Sequence, residues 1–277
     1  MYEILNKRYL KENIILLEIK APLVAINAKP GQFVILRVDE NGERIPLTIF
    51  DKTEESISVI YQVVGATTKK LSTLNVGDCL CDFVGPLGKA TNTKDIKNAI
   101  VIGGGIGCAI AYPIAKKLIK EGAKVTNIIG FRNKDFVILE NEFKALNASL
   151  YITTDDGSYG EKGVVTNPLR KLLERNTYDC VYAIGPLPMM KYVALTTKKF
   201  NVKTLVSMNS IMIDGTGMCG GCRIKVGSDL KFACVDGPEF DGHLVDFDEA
   251  IIRNGFYNNV EKDKHEDVCR LLGDINE

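Results

Sequence analysis

The chain has 277 residues, 45% hydrophobic and 25% charged, with 35 Lys and Arg balanced by 35 Asp and Glu. That length suits two or three small domains better than one core. A net charge of zero leaves no electrostatic footprint for nucleic acid or an anionic lipid surface.

The N-terminal stretch MYEILNKRYLKENIILLEIK is broken by charges and has no signal-peptide h-region. No apolar run approaches the about 18 residues that span a bilayer. The expected compartment is therefore the cytoplasm, where eight cysteines read as metal-binding or redox-active wherever they cluster.

From residue 1 to 95, ENIILLEIK, GQFVILRVD, IPLTIFD and SISVIYQVV are rich in Ile and Val and end at turn residues. This spacing predicts an antiparallel β-barrel or sandwich. One short helix, TTKKLSTL, comes before the loop GDCLCDFVGPLGKA. From 96 to 213 the pattern changes to strands alternating with amphipathic helices. NAIVIGGG, KVTNIIGF, SLYITTDDG, DCVYAIGP and KTLVSMNSIMI are the strands; IAKKLIKEG and NPLRKLLERN are helical, the latter with Asn167 as N-cap and Pro168 at its first position. The alternation predicts a parallel sheet with helices on both faces. Residues 214 to 277 are richer in Gly, Asp and Cys. With little core of its own, this lobe needs a staple, and a metal site would supply one.

Gly103, Gly104, Gly105 and Gly107, with Ile106 among them, follow a strand and precede a helix. Backbone N–H groups and a helix start can hold a pyrophosphate there, while a purely structural tight turn is the plain alternative. Cys108 stands where the strict fingerprint has a third glycine, and Pro113 predicts a kink or a restarted helix. Asp155 and Asp156 close the SLYITTDDG strand. Acids there can accept from ribose hydroxyls and repel a 2′-phosphate, which favours NAD(H), or they can cap the turn before Gly157.

Asp214, Cys219, Cys222 and Cys234 form D-x4-C-x2-C-x11-C. This is the plant-type ferredoxin spacing with a carboxylate in the first ligand position, and it favours a [2Fe–2S] cluster. Zinc held by three Cys and one Asp is the metal alternative, and would make the chain a zinc-stapled regulatory or interaction protein. Cys79 and Cys81 alternate on a strand and are expected to be buried, as are Cys108, Cys180 and Cys269. His243 and His265 lie in polar surroundings; His243 is a reserve ligand.

ERIPLTIF, YQVVGATTKKL, GDCLCDFVGPLG, VIGGGIGCAIAYPIAKKL, AIGPLPMM and MIDGTGMCGGCRIKVGSDLKFACVDGPEFDGH follow one another along the chain. In that order they resemble the ferredoxin–NADP reductase superfamily. They are most similar to its branch of electron-transfer subunits, which serve dihydroorotate dehydrogenase, sulfide dehydrogenase and the bifurcating NADH-dependent ferredoxin:NADP oxidoreductase. The resemblance implies an FAD-binding β-barrel (1–95), an NAD-binding α/β domain (96–213) and a [2Fe–2S] lobe (214–277).

It also implies site residues. Pro46, Leu47 and Thr48 correspond to the family's stretch along the flavin, with Ile45 at the usual Arg position and Arg44 one residue early. Ile60, Tyr61 and Gln62 form the next FAD segment, and Thr67 and Thr68 its phosphate turn. Gly185, Pro186 and Met189 resemble the segment near the nicotinamide, with Ile184 where the family has Cys. Asp214 in place of a fourth cysteine resembles the bifurcating and sulfide dehydrogenase small subunits. The implied function is electron transfer between NAD(H), FAD and a [2Fe–2S] cluster, to or from a larger iron–sulfur flavoprotein subunit.

Overall fold

The structure, a computed structural model, describes residues 2–255. The first sheet is built from β1 (Tyr2–Lys11), β2 (Ile14–Lys20), helix α1 (Pro22–Asn27), β3 (Phe33–Arg37), β4 (Ile45–Lys52), β5 (Ser56–Gln62), helix α2 (Ala66–Thr73), β6 (Cys79–Leu80) and β7 (Asp82–Leu87). Its strand order is β6-β1-β2-β5-β4-β3-β7, with antiparallel neighbours throughout. The two edge strands β6 and β7 are separated only by Cys81, so one short run of chain reaches both edges and curls the sheet into a nearly closed barrel. Alternating residues fill it, among them Ile15, Leu17 and Ile19 of β2 and Ile57, Val59 and Tyr61 of β5.

Cys79 and Cys81 are exposed, contrary to expectation. The inward residue of this two-residue edge strand is Leu80, 1% exposed, so alternation turns both thiols outward. Cys108 and Cys180 are buried as expected; Cys269 and His265 lie outside the described residues. Two elements had no clear sequence signal, the charged strand β1 and the single-turn helix α1.

The second sheet comprises β8 (Asn98–Gly104), α3 (Cys108–Lys120), β9 (Lys124–Phe131), α4 (Glu140–Ala145), β10 (Ser149–Thr154), β11 (Glu161–Lys162), α5 (Thr166–Leu173), β12 (Cys180–Ile184), α6 (Leu187–Lys198) and β13 (Thr204–Ser207). The rest of the described chain is β14 (Arg223–Val226), β15 (Asp229–Phe232), α7 (Ala233–Asp236), β16 (Glu239–Asp241) and α8 (Phe247–Asn254). Strand order is β11-β10-β9-β8-β12-β13-β16, parallel except for β16. Helix α3 packs on one face, α5 and α6 on the other. Among the described residues no helix is long and apolar enough to cross a membrane.

Two helix starts differ from the sequence reading. A 3₁₀ turn over Gly105–Gly107 leads into α3, which then runs through Pro113 without a break; the restart comes at Cys108. Helix α5 begins at Thr166 with Val165 as its N-cap. The Asn167 amide already donates to the Val164 carbonyl, which places Pro168 third, where its missing N–H still costs no intrahelical bond.

The cluster-motif segment is woven into both sheets. β16 extends the second sheet beside β13, and the Lys89 amide donates to the Gly237 carbonyl at 2.6 Å. The Thr91 hydroxyl donates to Glu239 Oε1 at 2.5 Å, while Lys117 of α3 donates to the Thr91 carbonyl. Cys180 and Tyr182 of β12 feel the same Glu239 charge. Burial pushes the Glu239 carboxyl from 4.5 up to about 7, against the pull of Thr91 and Lys117. The folded protein therefore holds a proton that the unfolded chain releases near pH 4.5, and this contribution to stability is lost as pH rises to about 7. Glu239→Gln keeps an acceptor for Thr91 but cannot ionise. Thermal melts of the variant and the parent should agree near pH 4, with the variant melting progressively higher as pH approaches 8.

Candidate cofactor sites

β4 presents Pro46, Leu47 and Thr48 half-buried, next to the buried Ile49 and Phe50. They pair with Ile35, Val34 and Phe33 of β3. On β5, Ile60 and Tyr61 point their side chains into two different cores, so only their backbone and the half-buried Gln62 remain for a ligand. At the start of α2, Thr68 Oγ1 accepts the Val64 and Gly65 amides at 3.0 Å each, closing its own helix start. Thr67 Oγ1 donates to Glu43 at 3.2 Å, tying the β3–β4 hairpin to this turn.

Arg44, next to Glu43, has a buried Nε with no partner among the described residues, and its Nη1 lies 3.8 Å from Asp82. The Tyr61 hydroxyl is likewise buried and unpartnered. An orphaned guanidinium nitrogen near a helix start fits a phosphate-bearing flavin nucleotide. Sequence reasoning left Arg44 out of the candidate set because it stands one position early; its charge was the available signal.

The glycine turn and the Gly185 segment meet at the C-terminal ends of β8 and β12, where the sheet order reverses direction. This is the place at which open α/β sheets bind nucleotides. A Cβ on Gly107 would overlap the Ile184 carbonyl oxygen and lie 2.9 Å from the Gly185 Cα; a Cβ on Gly104 would overlap the Met189 sulfur and lie 3.2 Å from Pro186. At the end of β10 the two acids part company. Asp156 Oδ1 accepts the Ser158 amide at 2.9 Å and hydroxyl at 2.7 Å, which hold its carboxyl below the usual range. That is the turn-capping role. Asp155 is exposed; its amide donates to the Phe131 carbonyl, and the Asp156 amide to that of Arg132.

The four metal-ligand candidates fall into two pairs. Asp214 Oδ1 lies 3.1 Å from Cys219 Sγ, and Cys222 Sγ lies 3.2 Å from Cys234 Sγ. Among the described residues, no three His, Cys, Asp or Glu side chains converge as one ion site. A single zinc needs four donors around one point, whereas two pairs suit two irons. Amides point at the sulfurs: Gly221 N–H at Cys219, Cys234 N–H at Cys222, and Gly217 N–H at Cys234. N–H donors on cluster sulfurs are the expected outer contacts of such a site.

The Cys219 thiol, then the Thr216 hydroxyl and the amides of Met218 and Cys219, hold Asp214 well below the carboxylate range. Burial, with Cys222 adding to it, pushes the Cys234 thiol up to about 12. His243 is not in this set; its Nε2 lies 3.0 Å from the Thr197 hydroxyl under α6. Met218 and Cys219 are exposed at the loop, while Cys222 and Cys234 are buried against Met208, Met212 and Ala233.

The ligand loop also touches the barrel. A Cβ on Gly215 would lie 2.7 Å from both Ile35 Cδ1 and Leu87 Cδ1, and Ile35 is the register partner of Pro46. The candidate flavin strand and the candidate iron ligands are thus separated by one strand and one side chain.

Residues 209–246 match the family described as the iron-sulfur cluster binding domain of dihydroorotate dehydrogenase B. The chain is 45% identical over 274 residues to a dihydroorotate dehydrogenase B (NAD(+)) electron transfer subunit homolog of Thermotoga maritima, covering 98% of this chain and 97% of that one. It is 34% identical over 236 residues to the dihydroorotate dehydrogenase B (NAD(+)) electron transfer subunit of Fusobacterium nucleatum, covering 81% and 89%. Among solved structures it is similar to a chain of the NADH-dependent reduced ferredoxin-NADP oxidoreductase, from work on flavin-based electron bifurcation. There the TM-score is 0.92 and the identity 44%, over 98% of both chains.

The two glycines of the nucleotide turn differ in what a methyl group would meet. Gly107→Ala collides with backbone and should cost roughly 1–3 kcal/mol, whereas Gly105→Ala meets open space and carries only its left-handed φ of 55°, about 1–2 kcal/mol. Urea titrations of both variants check the order. In NADH binding the Gly107 variant should again lose more.

Proposed function

This chain belongs to the family of dihydroorotate dehydrogenase B electron-transfer subunits, within the ferredoxin–NADP reductase superfamily, and on that premise we propose that it works in flavin-based electron bifurcation. Its cofactors are FAD, a [2Fe–2S] cluster and NAD(H). Bound here, they supply the conversion of a hydride's electron pair into single electrons, which no side chain of the protein can perform.

The protein's part is to bind, orient and space them. We assign the flavin to residues 1–95, the pyridine nucleotide to 96–213 and the cluster to 214–277, the last of these described only to residue 255. Pro46, Leu47 and Thr48 would line the flavin. Ile60, Tyr61 and Gln62 offer backbone and one amide, and Thr67, Thr68 and Arg44 face its phosphates. Gly103 to Gly107 take the pyrophosphate of NAD(H); Gly185, Pro186 and Met189 flank its nicotinamide. Asp155 reads the ribose hydroxyls, and Asp156 shapes the turn that presents it. Asp214 and Cys219 hold one iron, Cys222 and Cys234 the other.

The observation that carries the bifurcation reading is the ligand set. Asp214 stands where a fourth cysteine would, with Oδ1 directed at Cys219. Likeness to the NADH-dependent reduced ferredoxin-NADP oxidoreductase chain along almost the whole length supports it. On this reading the partner is a larger iron–sulfur flavoprotein subunit that exchanges electrons with NADPH and ferredoxin. Exposed Ile213, Met218 and Val235 around the ligand loop give it an apolar landing. The relatives' own printed function favours a second reading, in which the partner is a dihydroorotate dehydrogenase.

Anaerobic co-purification with the native partner separates the two. The complex should couple NADPH oxidation to reduction of both NAD and ferredoxin; dihydroorotate-dependent NAD reduction instead would move the assignment to the second reading. In the isolated subunit, NADH should bleach the flavin at least tenfold faster than NADPH, and Asp155→Ala should narrow that gap. Equal rates in the parent would remove Asp155 from the nucleotide site.

A further inference from the structure

The Asp214 carboxylate is used unevenly. Oδ2 accepts three hydrogen bonds, from the Thr216 hydroxyl at 2.9 Å, the Met218 amide at 2.8 Å and the Cys219 amide at 3.2 Å. Oδ1 accepts none of these; the Cys219 thiol donates to it at 3.1 Å. A free carboxylate has two equivalent oxygens and can bind a metal through one or through both. Here the loop has already divided the labour. Three donors occupy one oxygen, and the other faces the neighbouring ligand sulfur.

We infer that Asp214 ligates iron through Oδ1 alone and that Thr216 is a positioning residue that keeps Oδ2 out of the coordination sphere. The inference rests on the assignment of Asp214 as a ligand. Thr216 suits the role on three counts. It lies within the turn that Asp214 opens, two residues on. Its hydroxyl is the only side-chain donor among the three contacts on Oδ2, so it alone can be removed by substitution. It is also exposed, so its removal leaves no cavity in the core.

The chemical consequence has a sign. A carboxylate is a hard donor that favours the ferric ion. Hydrogen bonds to its outer oxygen draw charge away from the ligating one and moderate that preference. Losing the Thr216 hydroxyl leaves a more basic ligand that is free to swing, so the oxidised cluster gains relative to the reduced one. The two amides remain and water can reach the site, so the effect is partial.

The test uses the full chain with its cofactors loaded. Thr216→Val should lower the cluster's one-electron reduction constant about threefold, a downward shift of about 30 mV at 59 mV per decade. It should also broaden the EPR signal of the reduced cluster, as the carboxylate samples two binding modes. Thr216→Ser should restore both. In an Asp214→Cys background the Thr216→Val effect should vanish, because a thiolate has no second oxygen to hold.

Unchanged potential and EPR signal in Thr216→Val, with Asp214→Cys altering both, would overturn the positioning role and leave the ligand assignment standing. An Asp214→Cys protein with the parent's EPR signal and potential would overturn the ligand assignment itself. A Thr216→Val shift of the same size in the Asp214→Cys background would also overturn the inference, since the hydroxyl would then act other than through the carboxylate.

Discussion

Gly215 has no side chain, and the space one would fill is taken by Ile35 and Leu87 of the barrel. This contact sets the distance on which the rest of the molecule depends. Electron transfer weakens steeply with separation, so on the proposed assignment the flavin strand and the metal loop, distant in sequence, must be held close together. Ile35 does this from both sides, as register partner of Pro46 and as packing partner of Gly215. Further along, Lys89 to Gly237 and Thr91 to Glu239 fasten the linker between the sheets to the same C-terminal segment. The lobe has little core of its own, and Cys222, Ile224, Ala233 and Cys234 bury themselves in the core of the second sheet instead. Its position is set by its contacts with the two larger units.

Much of this was legible in the chain. The β-branched runs gave strands at the right places because alternation in a barrel leaves a clear period of two, and NAIVIGGG announced a strand feeding a helix. What escaped were features decided by tertiary context. The YEILNKRYLK strand carries charges at four of its ten positions and buries only Ile4, because its outer neighbour β6 pairs with just its first two residues. Cys79 and Cys81 looked like core thiols by residue type, but the burial phase of a two-residue strand is set by Leu80 and cannot be read from composition. Pro113 signalled a broken helix, yet the chain had already reset at the 3₁₀ turn that ends six residues earlier.

The candidate site divides along the same line. The proposed metal ligands stood out in the sequence because cluster chemistry restricts both residue type and spacing, and the structure brings them together as two pairs. The acids after SLYITTDDG were ambiguous in sequence. The structure separates them, giving Asp156 to Ser158 and leaving Asp155 outward. The flavin contacts were the least legible. A barrel strand offers mainly backbone to a ligand, and backbone leaves no mark in the sequence. Arg44 illustrates the loss, since one position of register hid a guanidinium whose buried nitrogen has no protein partner.

The departures from the family pattern point in one direction. Ile184 is 3% exposed and sits where the resemblance places a cysteine, so no thiol stands at that position to assist the nicotinamide. The family's usual Arg is Ile45. Both positions carry an aliphatic side chain, and beside Ile45 stands Arg44 with its buried, unpartnered Nε. A relay tolerates such changes, because its reactive atoms belong to the bound groups and its own duty is geometric. As a proposed ligand, Asp214 is a residue through which this chain would add chemistry of its own, and there the surrounding loop commits three donors to one oxygen.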